Sequence, residues 1–447
     1  MKQIIIQFGG TGDLARKKLL PAYSALLKAG YDFHIISLGR RFSDQDSYAE
    51  HIGIAEDEVL MNHLHYVPFS MEDSISKRRL TAELQDLIGE ACGIELIYYI
   101  ALQPSLYESA IYDIRDIHDN LEGCQLKKKI VVEKPFGFDQ ESAKKYNDIL
   151  LSVFEDQQIY RIDHYLGKEF MQNLLVMRFY NDVIKGIWNK HYIDHIQIIF
   201  DEVYGVDQRL GFYEQIGVVR DTIQNHILQI VTHLTMGEPV DFSPQEISHE
   251  KVKVLRSIPP ITDFYLAQYA SLKQSKQSSA PTPTYCSFKL TVDTFDFSGI
   301  PIYVRTGKMQ KEAKSMIYIA FKHFRSSPDR SRDLPENAMI ITIHPEMTID
   351  LQINMKQPGS PWESKPVRLN FDHFNTFKVN TPEAYQQILE KILLSDKSLF
   401  PSMQEIMESW NIVSPMLRST EVEQYDDKTL PSCAVSLIEE DGRVWFE

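Results

Sequence analysis

The chain has 447 residues, a formal net charge of −15, 43% hydrophobic and 24% charged residues. That length exceeds one ordinary core and suits two large domains, or one small and one large. The composition is that of a globular protein in water, and so acidic a surface repels nucleic acid and anionic lipid. No apolar run reaches the roughly 20 residues that span a bilayer. The opening Met1-Lys2-Gln3-Ile4-Ile5-Ile6-Gln7-Phe8 lacks the apolar core of a signal peptide, so the expected location is cytoplasmic. Cys92, Cys124, Cys286 and Cys433 lie far apart without zinc-site spacing and read as reduced structural thiols.

In chain order, Gln3–Phe8 is a short apolar strand, Asp13–Ala29 a helix ended by Gly30, and His34–Leu38 a second strand. Leu96–Ala101 and Lys129–Glu133 are further buried-strand candidates, with helical stretches between. This alternation predicts a parallel, doubly wound sheet. After about Asp163 the pattern changes. Asp163–Tyr180 and Ile216–Leu234 read as helices; His195–Asp201, Cys286–Asp293, Ile302–Arg305, Met316–Phe321, Met339–His344 and Thr348–Met355 read as strands. Several of these strands follow one another with only turns between. The predicted architecture is an α/β Rossmann-type N-terminal domain (1–163) followed by an α+β domain (164–447) with a large, mainly antiparallel sheet. The polar stretches Gln274–Pro283 and His323–Glu336 are expected to be exposed loops.

The first strand runs into Gly9-Gly10-Thr11-Gly12-Asp13-Leu14-Ala15 and a helix. Gly9 permits a sharp turn, Gly12 lets backbone approach a pyrophosphate, and Ala15 allows close helix–strand packing at a helix N-terminus that favours anions. A glycine turn alone is weak evidence; strand before and helix after favour dinucleotide binding over a plain tight turn. The second strand ends at Leu38-Gly39-Arg40-Arg41, where an NAD-selective site usually carries an acid. Two arginines there suit a 2′-phosphate, hence NADP, while tolerating NAD; the alternative is a solvated basic turn.

Ile130-Val131-Val132-Glu133-Lys134-Pro135-Phe136-Gly137 sets Lys134 at the carboxyl end of a parallel strand, where open α/β sheets bind ligands, and makes Lys134-Pro135 a candidate cis bond. In Tyr160-Arg161-Ile162-Asp163-His164-Tyr165-Leu166-Gly167-Lys168-Glu169, Asp163 reads as the cap or first residue of a helix. His164 and Lys168, four apart, would then share a face, and with Tyr165 and free first-turn amides would cradle a phosphate. A solvated helix face is the alternative. Ile216, Val219, Ile223, Ile227, Ile230 and Leu234 form a helical stripe with His226 at its edge. That histidine would be half-buried and suited to act as a general base, or else a satisfied core histidine. Asp221, five residues earlier, is off that face.

The segments GGTGDLARKKLLPA, VVEKPFG, RIDHYLGKE, RDTIQNHILQ and YVRTGK, in this order, resemble glucose-6-phosphate dehydrogenase. The resemblance extends through SDKSLFPSMQEIMESWNIVSP to the closing DGRVWF, so the chain is expected to be complete; it is weak between Val240 and Pro283 and between His323 and Pro366. It implies oxidation of D-glucose 6-phosphate at C1 to 6-phosphoglucono-lactone, with hydride passing to NADP⁺, the oxidative entry to the pentose phosphate pathway, and no metal. It further implies His226 as the base and Asp163 as its orienting carboxylate, with His164, Tyr165 and Lys168 on the phosphate. Glu202 and Asp221 would bond sugar hydroxyls, Lys308 would lie near the substrate, and Lys134 would touch both sugar and nicotinamide. Gly9, Gly10, Thr11, Gly12, Asp13, Leu14, Arg40 and Arg41 would hold the dinucleotide. A homodimer or homotetramer through the second domain's sheet is also implied.

Two departures bear on the substrate. Glu312 and Ala313 stand where the family offers a further basic group, with Lys311 and Lys314 on either side, and Thr294–Gly299 replaces an Asn-Arg-Trp-like turn. They keep open a family dehydrogenase for a different sugar phosphate or modified hexose. A non-catalytic nicotinamide-sensing protein is a further alternative, against which His226, Asp163 and Lys168 count.

Overall fold

The computed structural model describes residues 2–89, 93–121, 126–206, 210–275, 281–323, 335–360, 363–378 and 383–447. Contacts divide the chain into two units. The first comprises Met1–Glu169, Asp241–Ser248 and Pro382–Met407; the second comprises Phe170–Val240, His249–Thr381 and Glu408–Glu447. The expected single cut between 163 and 164 therefore falls a few residues early. It also overlooks two later segments that return to the first unit, a long-range event with no local signal.

The first unit holds β1 (Gln3–Phe8), β2 (His34–Gly39), β3 (Leu64–Pro68), β4 (Glu95–Ile100), β5 (Lys127–Val132) and β6 (Ile159–Arg161) in the order β3-β2-β1-β4-β5-β6. Every pairing is parallel. Ile4, Ile5 and Ile6 are at most 1% exposed, as continuous apolar runs are when both sheet faces are covered. Strand order reverses beside β1, so the turn after β1 opens at the crevice where such sheets bind ligands. Expectation missed β3, whose apolar residues are interrupted by His65, and β6, which has three residues.

A buried polar network pins the returning segment to the sheet. Lys129 Nζ donates to Glu95 Oε2 (2.9 Å), Ile392 O (2.8 Å) and Ser395 Oγ (2.8 Å), and Gln3 Nε2 donates to Leu393 O (2.8 Å). The Lys129 and Glu95 side chains are 6% and 4% exposed, so each charge depends on the other. The helix Ala384–Leu393 is thereby fixed in the first unit.

The second unit is built on β7 (Ile193–Asp201), β8 (Phe264–Tyr269), β9 (Tyr285–Leu290), β10 (Ile302–Gly307), β11 (Lys314–Phe321), β12 (Ala338–His344), β13 (Thr348–Lys356), β14 (Ser364–Asp372) and β15 (Glu423–Tyr425). Their order is β14-β13-β12-β11-β7-β10-β9-β8-β15. β7–β10 and β8–β15 are parallel and the other pairs antiparallel, the mainly antiparallel sheet expected. β8, β14 and β15 were not foreseen; β14 is exposed along most of its length and lacks a buried alternating face. Of the expected loops, Gln274 and Ser275 end the helix Ala270–Ser275, while 276–280 and 324–334 lie outside the described residues, as do Cys92 and Cys124. Cys286 and Cys433 are free, buried thiols.

The expected helix Ile216–Leu234 is broken into three. Leu210–Val218 bends at Gly217, whose φ of 61° suits a residue without Cβ. Val219–Ile227 is a π-helical turn, and Leu228–Thr235 continues as α-helix. Arg178 Nη1 and Nη2 cap the far end through His233 O (2.5 Å) and Met236 O (2.7 Å). Thr222 through Met236 are all buried, so the apparent stripe is part of a segment enclosed on every side.

Candidate active site

In the first unit, β1 ends at Phe8 and the chain turns at Gly9, whose φ is +80° and whose added Cβ would stand 2.3 Å from Ala101 O. Gly10 N donates to Leu38 O (2.8 Å) and Gly12 N to Gly9 O (3.0 Å). A Cβ on Gly10 would meet Ser37 Oγ at 1.9 Å, so the turn lies flush on β2. Tyr48 OH donates to Gly10 O (3.2 Å) and bonds Ser37 Oγ (2.8 Å); no local pattern announced that brace. Thr11, Gly12, Asp13 and Leu14 lead into a π-helical turn, Ala15–Leu19, in which Ala15 is fully buried. Bare backbone at a helix entry fits the diphosphate of a dinucleotide. Asp13 is exposed and faces Arg16 (3.8 Å) and Lys17 (3.6 Å). Arg40 and Arg41 follow β2 and are exposed, with Arg41 Nη1 3.1 Å from His51 Nε2. A Cβ on Gly39 would come within 2.6 Å of Thr11 Cγ2, so the arginines begin beside the glycine turn.

After β5 the Lys134-Pro135 bond is cis. Lys134 is half-buried beside Glu133, whose carboxylate accepts from Tyr99 OH (2.6 Å) and Tyr385 OH (3.3 Å). Burial pushes the Glu133 carboxyl above its ordinary range, opposed by these hydroxyls and by Lys134.

The segment after β6 departs from expectation. The helix begins at Glu169, and Asp163–Lys168 is a run of turns. Tyr165 N donates to Asp163 Oδ1 (3.0 Å), Leu166 N to Asp163 O (3.0 Å), Gly167 N to His164 O (3.2 Å) and Lys168 N to Tyr165 O (3.0 Å). Those amides are spent within the turn, so they offer no anion cradle, and His164 and Lys168 share no helical face. Gly167 packs so closely that a Cβ would meet Ala384 O at 2.6 Å. Side chains remain for a ligand. Lys168 Nζ sits 3.8 Å above the centre of the Tyr165 ring. Burial lowers the Lys168 ammonium to about 8, although Asp163 and Glu383 pull upward. The His164 ring is stacked 6.1 Å from that of Tyr385, and Asp163 is 2% exposed. Tyr385, more than 200 positions onward, was missed because only the returning segment brings it here.

In the second unit, Lys308 Nζ donates to Glu202 Oε1 (3.0 Å) and Oε2 (2.9 Å) and lies 3.5 Å from Asp221 Oδ2. Burial works against the Lys308 charge, yet Asp221 and Glu202 hold it above its ordinary range. The Tyr213 ring lies 5.3 Å from Nζ, and Tyr425 OH donates to Lys308 O (2.5 Å). Lys311 is exposed; Lys314 begins β11 opposite Asp201, its Nζ 5.5 Å from the centre of the Phe446 ring. His226 is 3% exposed, more deeply set than expected. Asp221 and His226 fall in one π-helical turn, whose i→i+5 bonding brings residues five apart nearer one side than an α-helix does. Asp221 is off the His226 face only at α-helical spacing, which Val219–Ile227 does not have.

Comparison with known proteins agrees across the chain. The family model described as glucose-6-phosphate dehydrogenase, NAD binding domain, matches residues 5–173, and that described as the C-terminal domain matches 175–446. The glucose-6-phosphate 1-dehydrogenase of Bacillus subtilis (strain 168) is 31% identical, covering 100% of this chain and 98% of its own. That of Borreliella burgdorferi is 34% identical, covering 92% and 90%. A solved structure of glucose-6-phosphate dehydrogenase in complex with its substrate glucose-6-phosphate has a TM-score of 0.89 at 29% identity, covering 100% and 98%. The N-terminal unit's parallel sheet and glycine turn thus belong to a nicotinamide-dinucleotide-binding domain. The chain belongs to the glucose-6-phosphate dehydrogenase family.

Proposed function

We propose that this chain oxidises D-glucose 6-phosphate at C1 to 6-phosphoglucono-lactone with NADP⁺ as hydride acceptor. The observation that carries the reading is the run Asp163–Lys168, which sets a buried carboxylate, an imidazole and a half-buried ammonium within six residues. The dinucleotide supplies, when bound, a cationic ring that accepts hydride at nicotinamide C4. Gly9, Gly10, Thr11, Gly12, Asp13 and Leu14 would hold its diphosphate, Arg40 and Arg41 its 2′-phosphate, and Lys134 its nicotinamide end.

His226 takes the proton from the C1 hydroxyl as C1–H leaves as hydride. Asp163 orients that imidazole and stabilises its charged form, which requires the two residues to meet in the working enzyme. His164, Tyr165 and Lys168 bind the phosphate, a handle remote from C1 whose binding energy aligns the reacting carbon. Glu202 and Asp221 accept from sugar hydroxyls while Lys308 fixes both carboxylates. Lys134 reaches the sugar from the end of β5. Of the two lysines beyond Lys308, exposed Lys311 is better placed for a ligand than Lys314, which is engaged beside Phe446. Association of copies into a homodimer or homotetramer through the second unit's sheet is supported by the exposed Met355, Val367 and Leu369 of β13 and β14.

His226→Asn should lower kcat by roughly 10²–10⁴-fold, the range for a lost general base, with cofactor affinity little changed; Asp163→Asn should act in the same direction. Steady-state kinetics beside NADP⁺ titration decides, and a near-normal kcat in His226→Asn would return that residue to a core role.

Lys168→Ala should raise KM for the sugar phosphate by about one to two orders of magnitude, from roughly 1.5–3 kcal/mol for a charge-assisted bond, and narrow the gap to free glucose. Because burial lowers the ammonium to about 8, kcat/KM for the phosphorylated sugar should fall as pH rises through that value, with a weaker fall for free glucose. Lys168→Arg should move that limb to higher pH. A limb unmoved by Lys168→Arg would assign the titration to another group.

The double change Arg40→Ala, Arg41→Ala should raise KM for NADP⁺ by about tenfold or more per lost bond and affect NAD⁺ less. Wild type should prefer NADP⁺ by kcat/KM while retaining activity with NAD⁺. Equal losses with both dinucleotides would show that the pair supports adenine or the fold and does not read the 2′ position.

A further inference from the structure

Three histidines gather at the amino edge of the first unit's sheet, the end opposite the glycine turn. His34 opens β2, and His63 and His65 bracket the first residue of edge strand β3. Ile35 pairs with Leu64 and Ile36 with His65, and Ile35 N donates to His63 O (2.8 Å). Side chains alternate along a strand, so this register puts the three imidazoles on one sheet face. The His34 ring centre is 5.4 Å from that of His63 and 6.4 Å from that of His65.

Two of the rings have an acceptor near Nδ1. His63 Nδ1 is 3.0 Å from Phe33 O, so it donates and leaves the Nε2 lone pair available. His65 Nδ1 is 3.2 Å from Glu83 Oε1, a carboxylate on the helix Ser74–Ile88. Backbone carbonyl and carboxylate acceptors behind imidazoles are the usual outer partners of metal-bound histidines. His34 Nδ1 is buried without a hydrogen-bond partner among the described residues.

We propose that His34, His63 and His65 form a binding site for one late first-row divalent transition metal ion, zinc or nickel in chemistry, with Glu83 orienting His65 and water completing the shell. Imidazole sets suit these ions. Rings on one tetrahedral zinc, at about 2.0–2.1 Å from each nitrogen, have centres roughly 5 Å apart. His34 and His63 stand near that spacing. The three ligand nitrogens do not all lie within 4.8 Å of one another in this conformation; His65, with 40% of its side chain exposed, has room to rotate inward. The ion would tie edge strand β3 to β2 and leave the reacting groups alone.

The test is calorimetric titration of tag-free, metal-stripped protein with Ni²⁺, beside visible absorption with Co²⁺. Wild type should bind one ion at this site, with a histidine-ligated cobalt spectrum and a melting temperature raised by about 5 °C at a hundredfold excess over Kd. The double change His63→Gln, His65→Gln should abolish that event, and Glu83→Gln, which keeps all three ligands, should weaken it about 10- to 100-fold. Turnover should be unchanged in Glu83→Gln. No bound ion in wild type, or equal binding in the double variant, would overturn the proposal.

Discussion

A chain carrying a net charge of −15 has to receive two anions, a sugar phosphate and a dinucleotide. The long-range field is unfavourable but screened beyond about 8 Å at physiological salt, so binding depends on how individual cations are held. Lys308 and Lys168 are held in opposite ways. Lys308 is bound by Glu202 and Asp221 and kept charged; it organises carboxylates more than it attracts anions. Lys168 lies over the Tyr165 ring and is lowered by burial, and it is the cation we propose for the phosphate. The same separation recurs at the dinucleotide turn, where Asp13 draws Arg16 and Lys17 while Arg40 and Arg41 stand exposed beyond β2.

Where local rules decided structure, the sequence was legible. β1 coincides with Gln3–Phe8 because an unbroken apolar run bounded by glycine has few other uses. The glycine turn followed because the positive φ at Gly9 and the crowding at Gly10 leave no room for Cβ. The site was less legible where the backbone left the regular helix. Asp163 caps a turn through its own Oδ1, so the helix starts at Glu169 and the side-chain geometry of 163–168 is not that of an α-helix. The π-helical turn Val219–Ile227 altered the relation of Asp221 to His226. Tyr48, Tyr213 and Tyr385 touch site residues from distant segments, and no periodicity reports such contacts.

The departures from the family pattern have structural consequences of unequal weight. Thr294–Gly299 is a surface turn in which Phe295 is 83% exposed and packs under Lys190 Nζ, 4.8 Å from its ring centre. The replacement of a basic group near residue 312 leaves Lys311 as the exposed lysine of that stretch, because Lys314 is engaged in β11 beside Phe446. A nicotinamide sensor would have no use for a lysine tuned by burial beside a buried aspartate.

Everything proposed for Asp163, Lys168 and His226 converges on one reaction. The most direct measurement is NADPH formation by the purified chain with glucose 6-phosphate and, separately, unphosphorylated glucose and other hexose phosphates, with the product identified. The predicted result is rapid NADP⁺ reduction with glucose 6-phosphate, 6-phosphoglucono-lactone as product, and far slower turnover of glucose. Folded protein that binds NADP⁺ yet turns over no hexose phosphate would contradict it.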